Sequence, residues 1–417
     1  MVQGCDYDVV VIGAGAAGIM AATEAADGGA KTLLLEKNRK AGIKILASGG
    51  TRCNVTSTLP IRELGTWFGK KGERFLRYGL HEFGPDDIRR ILLHEGVETL
   101  TFPLEKVFPK SGRAADVLEA LLARLNRTTA ELALEEGVVD LEKKDDFFRV
   151  KTAKRRITCR RAIVTVGGVS YPKTGTTGDG YPWLRNMGHK IVNPRPALVP
   201  IVVRESWVRE LTGIAVEDVV VSANLDNGKS VYARRRPLLF THRGLSGPGP
   251  MDISGHLDSL GGKRQLQIDW LPDRKEEEIN QLLHDSSKRR QLMLNVLPGE
   301  FPRRLSVALL GQAGIHEDRT SSDLSKLERL SLVQTLKRNQ IDVSGTEGFA
   351  KAEVTAGGVD LSEIVAKTME SKLVPGLHVA GEILNIDGPI GGFNFQAAFS
   401  TGTVAGRAAA AMVAEEK

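Results

Sequence analysis

The stretch Asp8-Val9-Val10-Val11-Ile12-Gly13-Ala14-Gly15-Ala16-Ala17-Gly18 constrains this chain more than any other. An apolar, β-branched run suited to burial on both faces of a parallel sheet leads straight into glycines. Ala16 to Asp27 has the small-residue composition of a helix packed closely on a sheet, and Gly28-Gly29 stops it. Lys31 to Leu35 reads as a second strand with Glu36 at its end. A GxGxxG spacing alone arises by chance in a chain with 45 glycines. Between a strand and a helix, with an acid ending the next strand, it meets the full context of a dinucleotide fingerprint. Gly13 permits the tight turn, Gly15 lets a pyrophosphate approach the backbone, and Gly18 lets helix and strand pack. Ala16 and Ala17 open the helix, whose free N–H groups and positive dipole end favour phosphate. Glu36 is expected to accept hydrogen bonds from ribose hydroxyls.

The length of 417 residues predicts two or three domains. Helical periodicity runs through 72–103 (Phe75, Tyr78, Leu80, Phe83, Ile88, Ile91, Leu92) and again through Ala114 to Leu125. Residues 134–165 alternate as hairpins, from Val138 and Val139 to a last strand, Ala162–Val166, that ends in Gly167-Gly168. Prolines 194, 196 and 200 mark a crossing. β-type runs follow at Val216–Leu225, Val231–Arg234, Leu238–Thr241 and Leu266–Trp270, then helix periodicity over 273–340. The glycine-rich style of the N-terminus returns near 350. The expected layout is a nucleotide-binding domain from 1–192 and 353–417. An inserted β domain (193–272, last strand 342–352) carries a helical subdomain (273–341).

A flavin reaches across the sheet, so FAD needs contacts beyond the first turn. Three segments supply candidates. Beyond Glu36 and Lys37 lies a polar, glycine-dense loop, Gly42 to Thr56, with Lys44, Ser48, Thr51, Arg52 and Cys53. Gly167-Gly168 ends a strand where backbone can approach a cofactor, and Val138 and Val139 are counted with it. Gly381, Glu382 and Asp387 then precede Gly391-Gly392-Phe393-Asn394, which opens an Ala-rich helix. That helix start suits the flavin edge where negative charge develops on reduction. No second fingerprint occurs, which argues against a separate NAD(P) domain.

The arrangement resembles the BaiN/YhiN-type flavoproteins, also called the aminoacetone oxidase family of FAD-binding enzymes. The matching stretches include Val11 to Gly18, Lys44 to Thr56, Thr165 to Gly175, Phe240 to Pro248, Thr355 to Val359, Thr368 to Lys372, and Ala380 through Asn394. Two positions depart from the family pattern: Ile43 stands where arginine is common, and Thr51 where a third glycine is common. The resemblance implies an α/β fold: a Rossmann-like FAD-binding domain of the two-dinucleotide-reductase type, with an inserted β-barrel-like domain and its helical subdomain. It also implies reductase or amine oxidase activity without fixing a substrate.

Among candidate reacting groups, Arg52 is expected to be buried and to need an anion: the flavin, its ribityl–phosphate chain, or Glu382 or Asp387. Cys53 reads as packing rather than a redox thiol, since no CxxC occurs. His242, read in a strand-to-helix turn before Gly244, is the best histidine for a proton donor or base. Tyr171 and Lys173 are plausible lining residues, and Asn394 either meets a flavin carbonyl or caps its helix. The remaining histidines lack metal-ligand spacing, so no metal is expected.

Cys5, Cys53 and Cys159 are too few and too scattered for a disulfide framework, and no apolar run reaches 18 residues, so a cytoplasmic protein is expected. The net charge of +6 is dispersed, which argues against nucleic acid but leaves an RNA-associated flavoprotein as one alternative. The favoured expectation is an FAD oxidoreductase in which NAD(P)H reduces a small unsaturated substrate through flavin N5. The other alternative is an amine oxidase using oxygen.

Overall fold

In a computed structural model of the chain, residues 5–224, 230–257, 264–284, 290–297, 299 and 301–416 are described. They divide into two compact units, 1–196 with 352–417, and 197–351.

The first unit is built on β1 (Tyr7–Ile12), whose last four residues are buried, as a strand between two neighbours requires. It pairs in parallel with β2 (Thr32–Leu35) on one side and with Arg156–Val164 on the other. Glu131–Ala133 extends the sheet beyond β2, again in parallel. The strand Arg156–Val164 divides its outer edge. Its first half takes the antiparallel hairpin Val138–Lys144 and Phe147–Thr152, and its second half pairs in parallel with Leu377–Val379. The two ends of the sequence therefore meet in one sheet. Two departures from the sequence reading are local: β2 begins at Thr32, and the strand expected over Ala162–Val166 runs from Arg156 to Val164.

Helix α1 (Ala16–Asp27) connects β1 to β2 and is buried along eleven consecutive residues, so it has no solvated stripe. Its neighbour is the C-terminal helix Phe393–Glu415. They approach so closely that a Cβ on Gly402 would lie 2.3 Å from the Ala17 carbonyl oxygen, and one on Gly406 2.3 Å from that of Ala21. This Gly402–Gly406 pair, one helical turn apart, was not part of the sequence reading.

The second unit contains an eight-stranded sheet. Its order is Ala215–Val216, Leu238–Thr241, Gly244–Ser246, Ile201–Val203, Asn339–Thr346, Gln265–Asp269, Val220–Asn224 and Ser230–Arg235. Every adjacent pair is antiparallel. Its own core includes Phe240 stacked 6.0 Å from Trp270. Helices Glu276–His284, Met293–Val296, Arg303–Gln312 and Lys326–Arg338 lie between the strands Gln265–Asp269 and Asn339–Thr346. The expected run Val216–Leu225 is two strands, Ala215–Val216 and Val220–Asn224; Leu225 lies outside the described residues. Among the described residues no helix is long and apolar enough to cross a membrane.

The helix contact gives a direct test. Gly406→Leu forces backbone apart and should lower unfolding free energy by about 2–3 kcal/mol, read as a lower urea midpoint at unchanged slope. Gly311→Ala, where a Cβ meets nothing within 4 Å, should be neutral or stabilising. Equal loss at both positions would contradict the packing argument.

Candidate functional site

The carboxyl ends of the parallel strands gather one set of turns: Gly13 to Gly15 after β1, Glu36 after β2, Thr165 to Gly168 after Arg156–Val164, and Ala380 to Glu382 after Leu377–Val379. Open α/β sheets place ligands at this edge. Gly13 has φ +100°, and a Cβ there would lie 2.9 Å from the Thr165 carbonyl oxygen. A Cβ on Gly18 would lie 1.8 Å from the Gly13 oxygen, so helix, turn and strand are in backbone contact. Thr165 Oγ1 binds the carbonyls of Ile12 and Gly13, each at 2.9 Å.

Gly15 differs. Its φ of −83° suits any residue, and its missing side chain would meet nothing within 4 Å. The fold gives no reason for a glycine there, whereas a phosphate lying against the backbone does. It also caps α1, whose first-turn N–H groups, including those of Ala16 and Ala17, have no carbonyl four residues earlier in the helix.

Glu36 is buried, and its carboxylate ties two turns together. Oε2 accepts from the Ala14 N–H at 2.9 Å, and Oε1 from the Asn38 N–H and side-chain amide, each at 2.8 Å. A carboxylate offers about four acceptor positions, so capacity for a hydroxyl donor remains. Lys37 points elsewhere, to Thr177 at 2.7 Å and Asp179 at 2.5 Å. Val138 begins its hairpin two residues after Glu136, whose N–H donates to the Glu36 carbonyl, while Val139 is 55% exposed.

Segments around Lys44, Ser170 and Thr355 meet at the Glu382 carboxylate. Glu382 is ion-paired with the Lys44 ammonium on α2 (Ile43–Ala47). Its Oε1 accepts from the Ser170 hydroxyl at 2.6 Å and the Thr355 N–H at 2.9 Å, and Lys44 also donates to Ser170 at 2.7 Å. The Thr355 hydroxyl in turn accepts from the N–H groups of Val169 and Ser170. A Cβ on Gly168 would lie 2.3 Å from that same hydroxyl oxygen, and Gly167 has φ +75°. Ser170 and Thr355 were not singled out from sequence; both lay inside family-matching stretches, which was the available signal. Gly381 places its N–H on Thr401 Oγ1 at 3.0 Å and packs against Ala17.

The start of the C-terminal helix docks on the loop after α2. A Cβ on Gly392 would lie 2.4 Å from the Thr56 carbonyl, and Thr56 Oγ1 donates to Gln396 at 2.7 Å. Gly391 has φ +140°. Phe393 is buried against Trp67 and Phe68, so its side chain is core and only its backbone faces the helix start. The Asn394 amide is committed to Gly388, accepting from its N–H and donating to its carbonyl, each at 2.9 Å. It latches the loop rather than reaching outward.

Two expectations change. Arg52 is exposed, not buried, and pairs with neither Glu382 nor Asp387; its guanidinium stacks on Phe102 and Phe108. The carboxylate expected to hold it is taken by Lys44. His242 lies in the turn of a strand-to-strand hairpin, Leu238–Thr241 and Gly244–Ser246, and is exposed. The helix begins only at Pro248. Tyr171, also exposed, has a left-handed backbone with φ +53°. Cys53 is fully buried, and burial pushes its thiol up to about 12, which keeps it protonated and inert at neutral pH. Ser48 accepts the Cys53 N–H on its carbonyl and turns its own hydroxyl to Ile45. Among the described residues no group of three His, Cys, Asp or Glu could hold a metal ion.

These contacts assemble an extended polar seat running from an open Gly15 past Glu36 to the glycines of the C-terminal helix. Residues 7–408 match the family described as the HI0933-like protein Rossmann domain. The chain belongs to this family. It is an FAD-dependent oxidoreductase family, and the residues at the strand ends fit that cofactor. A Haemophilus influenzae protein named ribosomal RNA dihydrouridine synthase is 33% identical over 399 residues, 94% of this chain and 96% of its own length. A Clostridium scindens protein named 3-dehydro-bile acid delta(4,6)-reductase is 32% identical over 408 residues, 96% and 98%. At the level of fold, the chain is similar to FrdA of Escherichia coli quinol fumarate reductase (TM-score 0.51, 16% identity, 99% of this chain and 71% of that one). It is likewise similar to a 3-ketosteroid delta1-dehydrogenase from Sterolibacterium denitrificans (0.50, 14%, 97% and 99%).

Asp387 supplies a pH-dependent test. Burial pushes its carboxyl up to about 6, with Glu382 acting the same way and Arg195 opposing. The unfolded chain loses this proton near pH 4, whereas the folded chain holds it to about pH 6. The contribution is therefore present in full below about pH 4 and lost as pH rises to about 6. Asp387→Asn should flatten that part of the urea-midpoint profile; parallel profiles would contradict the assignment.

Proposed function

We propose that this protein uses FAD and NAD(P)H to reduce a carbon–carbon double bond conjugated to a carbonyl. The observation that carries the reading is a shared chemistry among full-length relatives. Dihydrouridine formation saturates a ring double bond conjugated to a carbonyl of uracil, and a delta(4,6)-reductase of a 3-oxo bile acid does the same in a steroid. The substrates differ greatly in size and polarity, so the common element is the electrophile and not the molecule around it.

FAD, when bound and reduced by the nicotinamide, would supply the hydride that such an alkene accepts at the carbon distal to its carbonyl. The chain's own residues position and tune. The α1 start and Gly15 would hold the pyrophosphate, Glu36 the adenosine ribose, and the Lys44–Glu382–Ser170 cluster the middle of the cofactor. The helix start at Gly391-Gly392 would present N–H groups to the ring edge that gains charge. Asp387 retains a proton at its carboxyl into a range where ordinary carboxylates have lost theirs.

The test is anaerobic. Purified holoprotein is mixed with NADH or NADPH, then with a small α,β-unsaturated ketone. The reading predicts bleaching of the visible flavin absorption by one nicotinamide and return of colour on adding the ketone, with the saturated product formed. Reduction by a primary amine alone, with return of colour only in oxygen, would replace this reading with the amine oxidase one.

A further inference from the structure

Arg52 and the hairpin that covers it form a surface for which neither the core nor the cofactor seat has a use. The chain coils tightly as it leaves α2. Gly49, Gly50, Thr51 and Cys53 have φ of 54°, 65°, 70° and 60°, and between them Arg52 alone is right-handed at −98°. A β-branched residue at positive φ is a true outlier, and strain of this kind concentrates at functional sites. Its consequence is to hold Arg52 outward at the surface.

There the guanidinium lies 5.1 Å from the ring centre of Phe102 and 4.6 Å from that of Phe108, and the two rings meet edge to face at 5.4 Å. β3 (Thr56–Ser57), β4 (Thr99–Phe102) and β5 (Lys106–Pro109) form a three-stranded sheet in the order β3-β5-β4, so β4 is an outer strand. It carries Leu100 and Phe102, which are 44% and 36% exposed. Lys106 stands opposite Phe102 in the register. The hairpin itself is turned by Leu104 and Glu105, both left-handed without being glycine. The same sheet reaches the cofactor seat, since Thr56 pairs with Val107 and packs its backbone on Gly392.

An exposed aromatic face with a planar cation laid on it, beside a redox seat, suits a flat ring joined to a negative charge. Unpaired nucleobases stack on aromatic rings and on guanidinium planes, and the attached phosphate favours the cation. We propose that Arg52 and the exposed Phe102, backed by the buried Phe108 beneath the guanidinium, form a stacking platform for an unpaired base of single-stranded RNA beside the cofactor seat. The proposal rests on the reduction described above and selects its nucleobase branch. It takes up the RNA-associated alternative in place of the expectation that a nucleic-acid partner is disfavoured. A neutral sterol could cover Phe102 and Leu100 but would draw nothing from the guanidinium.

The experiment uses the full-length holoprotein and a fluorescent, uridine-rich single-stranded RNA of about ten nucleotides, within the usual footprint of such sites. Binding is followed by anisotropy at low and high salt. The wild-type protein should bind, and more weakly as salt rises. Phe102→Ala and Arg52→Lys should each weaken binding roughly five- to thirtyfold. Phe102→Tyr should restore it and Phe102→Leu should not, which separates stacking from simple coverage. FAD content and visible spectrum of Phe102→Ala should match the wild type, excluding misfolding. Unchanged affinity in both variants, no RNA binding by the wild type at low salt, or equal rescue by leucine would each overturn the platform. Reduction of a small conjugated ketone by the wild-type protein is measured in parallel. If it proceeds while the RNA results are negative, the platform alone falls; if it fails, the reaction itself has been misread.

Discussion

The Glu382 carboxylate is the contact on which the site depends. It collects a lysine from α2, a serine from the loop after Arg156–Val164, and a backbone N–H from Val354–Val359, and it sits directly after Leu377–Val379. Each of those segments is glycine-rich, and glycine-rich backbone does not hold its own position. A half-buried carboxylate must have its lone pairs satisfied. Meeting that demand fixes the relative placement of segments drawn from both ends of the chain. Lys44 and Glu382 are 338 residues apart, and their pairing joins the two sequence segments that make up the first unit.

The seat is otherwise made by removal of side chains. Gly13 and Gly18 are required by the protein itself, because a Cβ at either would strike backbone. Gly15 is not, and that contrast separates packing glycines from the one whose open face looks outward. The same logic applies to the C-terminal helix. Gly392 is tight against Thr56, whereas Gly402 and Gly406 serve contact with α1. Around the strand ends the chain offers mainly backbone, helix ends and a few charges. Arg52 and Phe102, the core of the proposed stacking platform, differ from the seat in being exposed.

Much of the first unit was legible because its signals are local. The β1–turn–α1–β2 unit lies within a few dozen residues, and each of its glycines has a role set by sterics. The return of glycine-rich sequence near the end was read as the second part of the nucleotide-binding domain, and Leu377–Val379 pairs in the same sheet as β1. What was misread depended on backbone direction or distant partners. Arg52 between glycines read as buried; a run of left-handed residues instead turns it to solvent. His242 was assigned a strand-to-helix turn because Gly244 to Pro248 resembles one, yet Gly244–Ser246 pairs as a strand first. Phe393 and Asn394 looked like cofactor contacts, but one fills the core and the other latches Gly388. The partner of Glu382 could not be read from spacing at all.

The most direct measurement of the central claim concerns Gly15. Gly15→Val places a side chain where the fold leaves open space, at a backbone conformation valine adopts readily. The apoprotein should still fold, with the urea midpoint lowered only slightly by the poorer N-cap residue, while FAD binding, titrated by flavin fluorescence, should weaken by about a hundredfold or more, the equivalent of roughly 3 kcal/mol. Wild-type FAD affinity in a well-folded Gly15→Val protein would show that the open face of this turn is not where the cofactor lies.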